Sequence, residues 1–309
     1  MRCDATPSVR EGGLTLIELL VVLAILAAVS VVAVRGLDGI QDQRRFERSE
    51  AIVAATARVI VGEDGTEDAV SNFLEDVGRL PAVAPGGDAP LRELWERPAG
   101  LASSHLAFDT IDPEISLAVG WRGPYVRREP GDDTLRDGWG NPLVVETAPG
   151  LWRIVSRGAD GLPDGAGYAT DLDFVVIDAA TGVDESGAEI SGSVLVSGLD
   201  LETPWTVTVL AYGPDPTSGE ILARAETPDH EQVDPTAHEP ADAEAGPIRF
   251  DYSFSGTNAL TRGRRVFRAY AHPVGQDPRT TAFARSVPVR LRLRRGAQNL
   301  DLRIGGGSD

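Results

Sequence analysis

The sequence predicts an α+β chain: a long N-terminal helix of transmembrane length in its first part, then a small antiparallel sheet, then an all-β sandwich. Three observations predict it. Leu14 to Val34 is a run of 21 residues in which only Thr15, Glu18 and Ser30 are polar. Between Pro124 and Asp178, short apolar runs alternate with Gly, Pro, Asn and Asp clusters. From Ile190 onward strands and turns alone remain. The 309 residues leave room for about two domains beyond a membrane segment.

The apolar run is long enough, at about 1.5 Å per residue, to cross a hydrocarbon core of about 30 Å. Ahead of it lies a polar leader, Met1 to Gly13, with Arg2 and Arg10, which favours a cytoplasmic leader and an exported remainder. A secretory signal places its apolar stretch before the cleavage site, and cleavage inside this run would destroy it. Glu18 is the anomaly. An interfacial carboxylate one turn inside the helix and a carboxylate awaiting a partner both fit the physics.

The segment "GGLTLIELLVVLAIL" resembles the class III leader and N-terminal helix of type IV pilins and type II secretion pseudopilins. The resemblance implies cleavage after Gly13 by a prepilin peptidase, methylation of the new Leu14 amine, and a role for Glu18 in assembly through a neighbouring subunit's amine. Leu14 stands where Phe is commoner.

After Arg35 the spaced apolar residues Leu37, Ile40, Ile52, Val53, Val59 and Ile60 predict an amphipathic continuation of the helix, interrupted at "GEDGT", Gly62 to Thr66. A shorter helix is expected from Glu67 to Val77, stopped by Gly78 and Pro81, and "LRELWERP" is at most two helical turns. The strands follow as "PYVRRE", "PLVVE", "LWRIVS" and "DFVVID", a small sheet packed on the long helix. The aromatics of "GWRGPY", Gly120 to Tyr125, fit a core role better than a binding role.

Two separators, "DGWGNP" (Asp137 to Pro142) and "SRGADGLPDGAGYATDLD" (Ser156 to Asp173), resemble the D-x-W-G-x-P turn and S-x-G-x-D-G loop of major pseudopilins, so the head is expected to be pilin-like. In that family the second loop holds structural calcium. The resemblance carries ligand positions onto Asp160 and Asp171, with Asp164, Asp173 and the carbonyls of Arg157 and Leu162 as further oxygens. This loop is longer than the family's and has Thr170 before Asp171 in place of adjacent acids. A solvated turn whose Asp residues cap backbone amides is the alternative. The only cysteine, Cys3, precedes the run, so something other than a disulfide must staple an exported head.

Seven further β runs, "ISGSVLV", "WTVTVLAY", "EILARAE", "IRFDYSF", "RVFRAYAH", "SVPVRLRLR" and "NLDLRI", match the count of a β-sandwich and weakly resemble immunoglobulin-like sandwiches. In "VPVRLRLR" Val287, Val289, Leu291 and Leu293 face one way and Arg290, Arg292 and Arg294 the other. Thr227 to Gly246, rich in Pro, Asp, Glu and Ala, is expected to be a loop.

Net charge of -18 disfavours a general nucleic-acid or anionic-membrane binder. All 29 basic residues are arginine, which codon bias explains. The balance is uneven: Asp184 to Pro247 carries fourteen acids and one arginine, Arg224, whereas Ile248 to Ile304 carries twelve arginines and three acids. Mutual neutralisation within the sandwich is one reading. The other is an arginine face that meets an acidic head of another subunit, an exoprotein, an anionic polysaccharide or DNA.

No nucleophile elbow, Walker loop, HExxH or cysteine-based zinc pattern is present, and His105, His230, His238 and His272 form no catalytic spacing, so catalysis is not expected. The expected boundaries are 1–13 leader, 14–62 N-terminal helix with 14–34 in the membrane, 63–180 pseudopilin-like head and 184–309 sandwich. The reading is a processed inner-membrane subunit with periplasmic domains, assembling with other pseudopilins or pilins on an inner-membrane platform. A type IV pilus minor pilin and a membrane-tethered sandwich that binds glycan or exoprotein are the alternatives.

Overall fold

The computed structural model describes residues 16–63, 72–83, 91–127, 131–198, 204–226 and 247–305. Its first element, α1 (Leu16–Val61), is one continuous helix of 46 residues, roughly 70 Å long. Two regimes share it. From Leu16 to Ser30 every side chain is exposed, including Leu16, Ile17, Leu20, Leu23, Leu26 and Val29, and the Ser30 hydroxyl satisfies itself on the Leu26 carbonyl. In the second half a stripe at helical spacing, Ser49, Val53, Ala57 and Ile60, turns inward and is buried. The side chains described in α1 are those of 16–30 and 39–61, and among the described residues no helix is long and apolar enough to cross a membrane. The helix stops at Gly62, whose φ of +82° allows its N–H to reach the Arg58 carbonyl.

The short helix α2 (Phe73–Val77) follows, capped by the Asn72 side chain at its start and by left-handed Gly78 at its end. Of the expected Glu67 to Val77 helix, residues 67–71 lie outside the described residues, and Asn72 is extended, so the helix begins at Phe73. "LRELWERP" contributes only a 3-10 turn at Arg92–Leu94. One strand expectation fails: over the described part of "PYVRRE", residues 124–127, there is no strand. The Tyr125 ring meets Phe73 and Trp121, and its hydroxyl donates to Asp76, so side-chain packing holds this segment. With the Trp121 indole N–H donating to the Glu93 carbonyl, both aromatics belong to the head core.

A hairpin the sequence did not announce, β1 (His105–Phe108) and β2 (Ser116–Val119), precedes the main head sheet. That sheet has the order β3 (Val144–Ala148), β4 (Leu151–Ser156), β5 (Leu172–Asp178), β6 (Val183–Asp184), all antiparallel. Its buried face, Val145, Trp152, Ile154 and Val176, packs with Val53, Ala57 and Ile60 of α1 and with Phe73, Leu74 and Val77 of α2.

All seven C-terminal β runs are strands. One sheet centres on β7 (Gly187–Val196), flanked antiparallel by β10 (Ile248–Phe254) and β11 (Leu260–Thr261) and in parallel by β15 (Ala297–Asn299) and β16 (Leu302–Ile304). The other has β8 (Trp205–Pro214) between β9 (Ile221–Glu226) and β12 (Gly263–Pro273); β12 also pairs with β13 (Ala284–Arg285) and β14 (Val289–Leu293). Between β12 and β13 lies the short helix α3 (Pro278–Thr281). The two sheets share one core, with Ile190, Val194, Phe250 and Ile304 from the first against Val207, Val209, Phe267 and Ala269 from the second.

Head and two-sheet unit are not separate beads. Hairpin β1–β2 lies on the second sheet, where Ala107, Ile115, Leu117 and Val119 bury against Leu210, Tyr212, Val266 and Tyr270. Gly78 sits so close to Pro214 that a Cβ there would stand 2.7 Å from its carbonyl oxygen.

Candidate functional site

Gly13 and Leu14 lie outside the described residues. Glu18 stands in the first turn of α1, on the exposed apolar half.

The two glycine-rich separators meet in space. Asp137 is buried: its Oδ1 accepts the backbone N–H groups of Trp139 and Asn141, and its Oδ2 accepts the Ser156 hydroxyl at 2.7 Å. Asn141 Nδ2 donates to the Gly158 carbonyl at 2.7 Å. The first turn is pressed against α1, with the Gly138 N–H donating to Ser49 Oγ and the Arg45 guanidinium over the Trp139 ring. Tyr168 brings the second loop to the same helix by packing on Phe46 and Trp139, with a hydroxyl bond to Gln43.

Within the second loop the expected ligands are placed as follows. Asp160 is exposed, and its Oδ1 accepts the Leu162 N–H in a local turn. Asp164 is exposed at φ +64°, which aims its N–H at Asp171 Oδ2 at 3.3 Å. Asp171 Oδ2 also accepts Arg157 Nη1 at 2.5 Å. Asp173 points from β5 toward Arg153 Nη1 at 3.0 Å. Among the described residues no three His, Cys, Asp or Glu side chains are grouped to hold a metal ion. The donor set as arranged does not fit calcium, which asks for roughly six to eight oxygens. Asp171 meets a guanidinium and a backbone N–H, both of the wrong polarity to share a cation.

Sequence reasoning missed Glu146 and the side chain of Arg157. The Arg157 guanidinium bridges Asp171 and Glu146, and Arg153 Nε donates to the other Glu146 oxygen at 2.7 Å. Burial pushes the Glu146 carboxyl up, but the hydrogen bonds and charges of Arg153 and Arg157 outweigh it and hold the group below the usual carboxylate range. A signal existed: Glu146 and Arg153 are equidistant from the Pro149-Gly150 turn and face each other across β3 and β4.

Several C-terminal arginines turn inward, to acids of the same chain's head and of its connection to the two-sheet unit. Arg264 and Arg292 pair with Glu75 at 3.0 and 2.7 Å, Arg262 and Arg295 with Glu185, and buried Arg268 with fully buried Asp112 at 2.9 Å and with Glu114. The alternation expected along β14 holds for Val289 to Leu293, but its basic face meets α2 and hairpin β1–β2, with Arg290 reaching Ser116. His105 bonds Glu220, and His272 is buried against Thr208; His230 and His238 lie outside the described residues.

Residues 9–34 match the family model of the prokaryotic N-terminal methylation motif. That match takes in the end of the leader with Gly13, Leu14 and Glu18; it implies processing by a prepilin peptidase, membrane anchoring and assembly with other pilin-like subunits. Comparison of the chain with curated proteins and with solved structures gives no match.

Proposed function

We propose, from the methylation motif at 9–34, that the chain is a non-enzymatic structural subunit of a type II secretion pseudopilus, cut after Gly13, methylated on Leu14 and held in the inner membrane by residues 14–34 with its remaining units in the periplasm. The observation that carries the reading is the motif continued into α1. A helix that is apolar all round must be covered by lipid or by neighbouring helices, and among the described residues the Leu16 to Ser30 half of α1 is exposed throughout. Glu18 then stands in a low-dielectric packing layer, where a carboxylate is retained for a partner charge.

Secretion is favoured over other fibres by the joined D-x-W-G-x-P and S-x-G-x-D-G loops, whose resemblance is to major pseudopilins. The two-sheet unit, read as an immunoglobulin-like sandwich, is bulky enough that a fibre carrying it on every subunit would be crowded, which favours a minor or tip position. A tethered binding module is less well supported, because the arginines that would face its ligand are engaged by Glu75, Asp112, Glu114 and Glu185.

Coexpression with a prepilin peptidase is expected to give a product beginning at Leu14 with one added methyl group by mass spectrometry, and Gly13→Val to abolish both changes. Deletion of the gene is expected to stop exoprotein secretion, with Glu18→Ala failing to restore it. Intact secretion with loss of twitching, attachment or transformation would assign the subunit to a type IV pilus.

A further inference from the structure

The long glycine-rich loop from Arg157 to Asp171 needs something to hold its two ends, and the chain provides no disulfide for it. We propose that Arg157 is the built-in cation of this loop, taking the structural place of a divalent ion and making the fold of the head independent of metal. This stands whichever fibre the chain builds.

The geometry is that of a guanidinium clamp. Arg157 leaves the end of β4 with its side chain only 16% exposed, and its two terminal nitrogens engage different segments: Nη1 reaches Asp171 at the far end of the loop, Nη2 reaches Glu146 on β3. One planar fork thereby ties loop start, loop end and neighbouring strand, a task a monatomic ion performs only with several oxygen ligands. The surroundings are organised around an anion at Asp171, since the left-handed conformation of Asp164 turns a backbone N–H toward the same oxygen that Arg157 holds. A cation bound there would face that N–H dipole and the guanidinium together.

Two guanidinium groups, Arg153 and Arg157, engage the three carboxylates nearest them, Glu146, Asp171 and Asp173. Of the remaining acids, Asp160 accepts the Leu162 N–H in a local turn, and both Asp160 and Asp164 are exposed. One feature points the other way: Asp171 Oδ1 is buried with no hydrogen-bond partner. A single orphan oxygen is one ligand, far short of a coordination sphere, and a water molecule satisfies it equally well.

The test uses the full-length chain purified in detergent, melted by tryptophan fluorescence with calcium chloride or with a chelator. The expected result is the same Tm in both, no heat on titration with calcium, and a Tm lower by roughly 5 °C in Arg157→Gln. Arg153→Gln, which leaves the Arg157 to Asp171 link in place, is expected to fall less. Should Arg157→Gln fail to accumulate, Asp171→Asn in the same assay is expected to give a comparable fall. A calcium-dependent rise of the wild-type Tm overturns the proposal, as does an Arg157→Gln or Asp171→Asn variant that melts like wild type.

Discussion

Gly138 shows how a single position is dictated by a neighbour far away in the chain. A Cβ built there would lie 2.1 Å from the Arg45 carbonyl oxygen, inside the backbone of α1. Gly138→Ala is therefore expected to cost about 1 to 3 kcal/mol by urea unfolding of the purified chain, because helix and turn must separate. In "DGWGNP" the turn was legible from composition, but the reason for this glycine was not, since no local pattern reveals that a helix passes ninety residues away in sequence. The processing residues are the opposite case. The motif was legible because it lies in a contiguous stretch, matched over residues 9–34, the span that contains Gly13, Leu14 and Glu18. Spacing among Asp160, Asp164, Asp171 and Asp173 cannot distinguish a calcium loop from one closed by a guanidinium folded back from the same loop, because carboxylates gather cations of either kind.

Strands were legible where apolar runs and turn clusters were both strong, as in β4, which faces the head core, and in β10 and β12, which face the core between the two sheets. Hairpin β1–β2 was not, because its four-residue strands are too short to show a period and are held by packing on β8 and β12. Strand β12 also carries a titrating group. His272 is 4% exposed; its Nδ1–H donates to the Pro273 carbonyl, and its Nε2 shares a hydrogen bond with the Thr208 hydroxyl. Burial lowers its pKa, against a smaller upward pull from the Pro273 bond and from Asp277. The unfolded chain therefore takes up the proton first. The contribution of His272 is complete above about pH 6.5 and declines as pH falls below it. His105, raised by its bond to the Ser103 carbonyl against a smaller downward pull of burial, works in the opposite direction. Replacing His272 with Val is expected to flatten the acid-side loss of stability, measured as the difference in urea midpoint between pH 7 and pH 5 for variant and wild type.

At the scale of the molecule, the uneven charge of the sequence resolves into joints. Arginines of the last strands pair with Glu75, Asp112, Glu114 and Glu185, so neutralisation occurs across the junction of head and two-sheet unit. The sequence showed the imbalance; it could not show which acids would answer it, because Asp112, Glu114 and Glu75 stand 156, 154 and 217 residues from the arginines that reach them. Asp112 is fully buried, accepts both from Arg268 and from the Tyr270 hydroxyl, and is expected to cost about 3 to 5 kcal/mol when changed to Ala, toward the lower end because Glu114 keeps part of the Arg268 charge company. Urea unfolding of Asp112→Ala is expected to separate into two transitions where the wild type shows one. Hairpin β1–β2 has a mechanical meaning as well. A unit joined only through residues 179–186 would swing when dragged, and tension would straighten that connection before reaching the head. With an arm laid along its outer sheet and a second grip at Glu75, a pull on the far end of the two-sheet unit is carried in parallel by several paths into α1, so the chain transmits load as a strut and does not trail as a pendant.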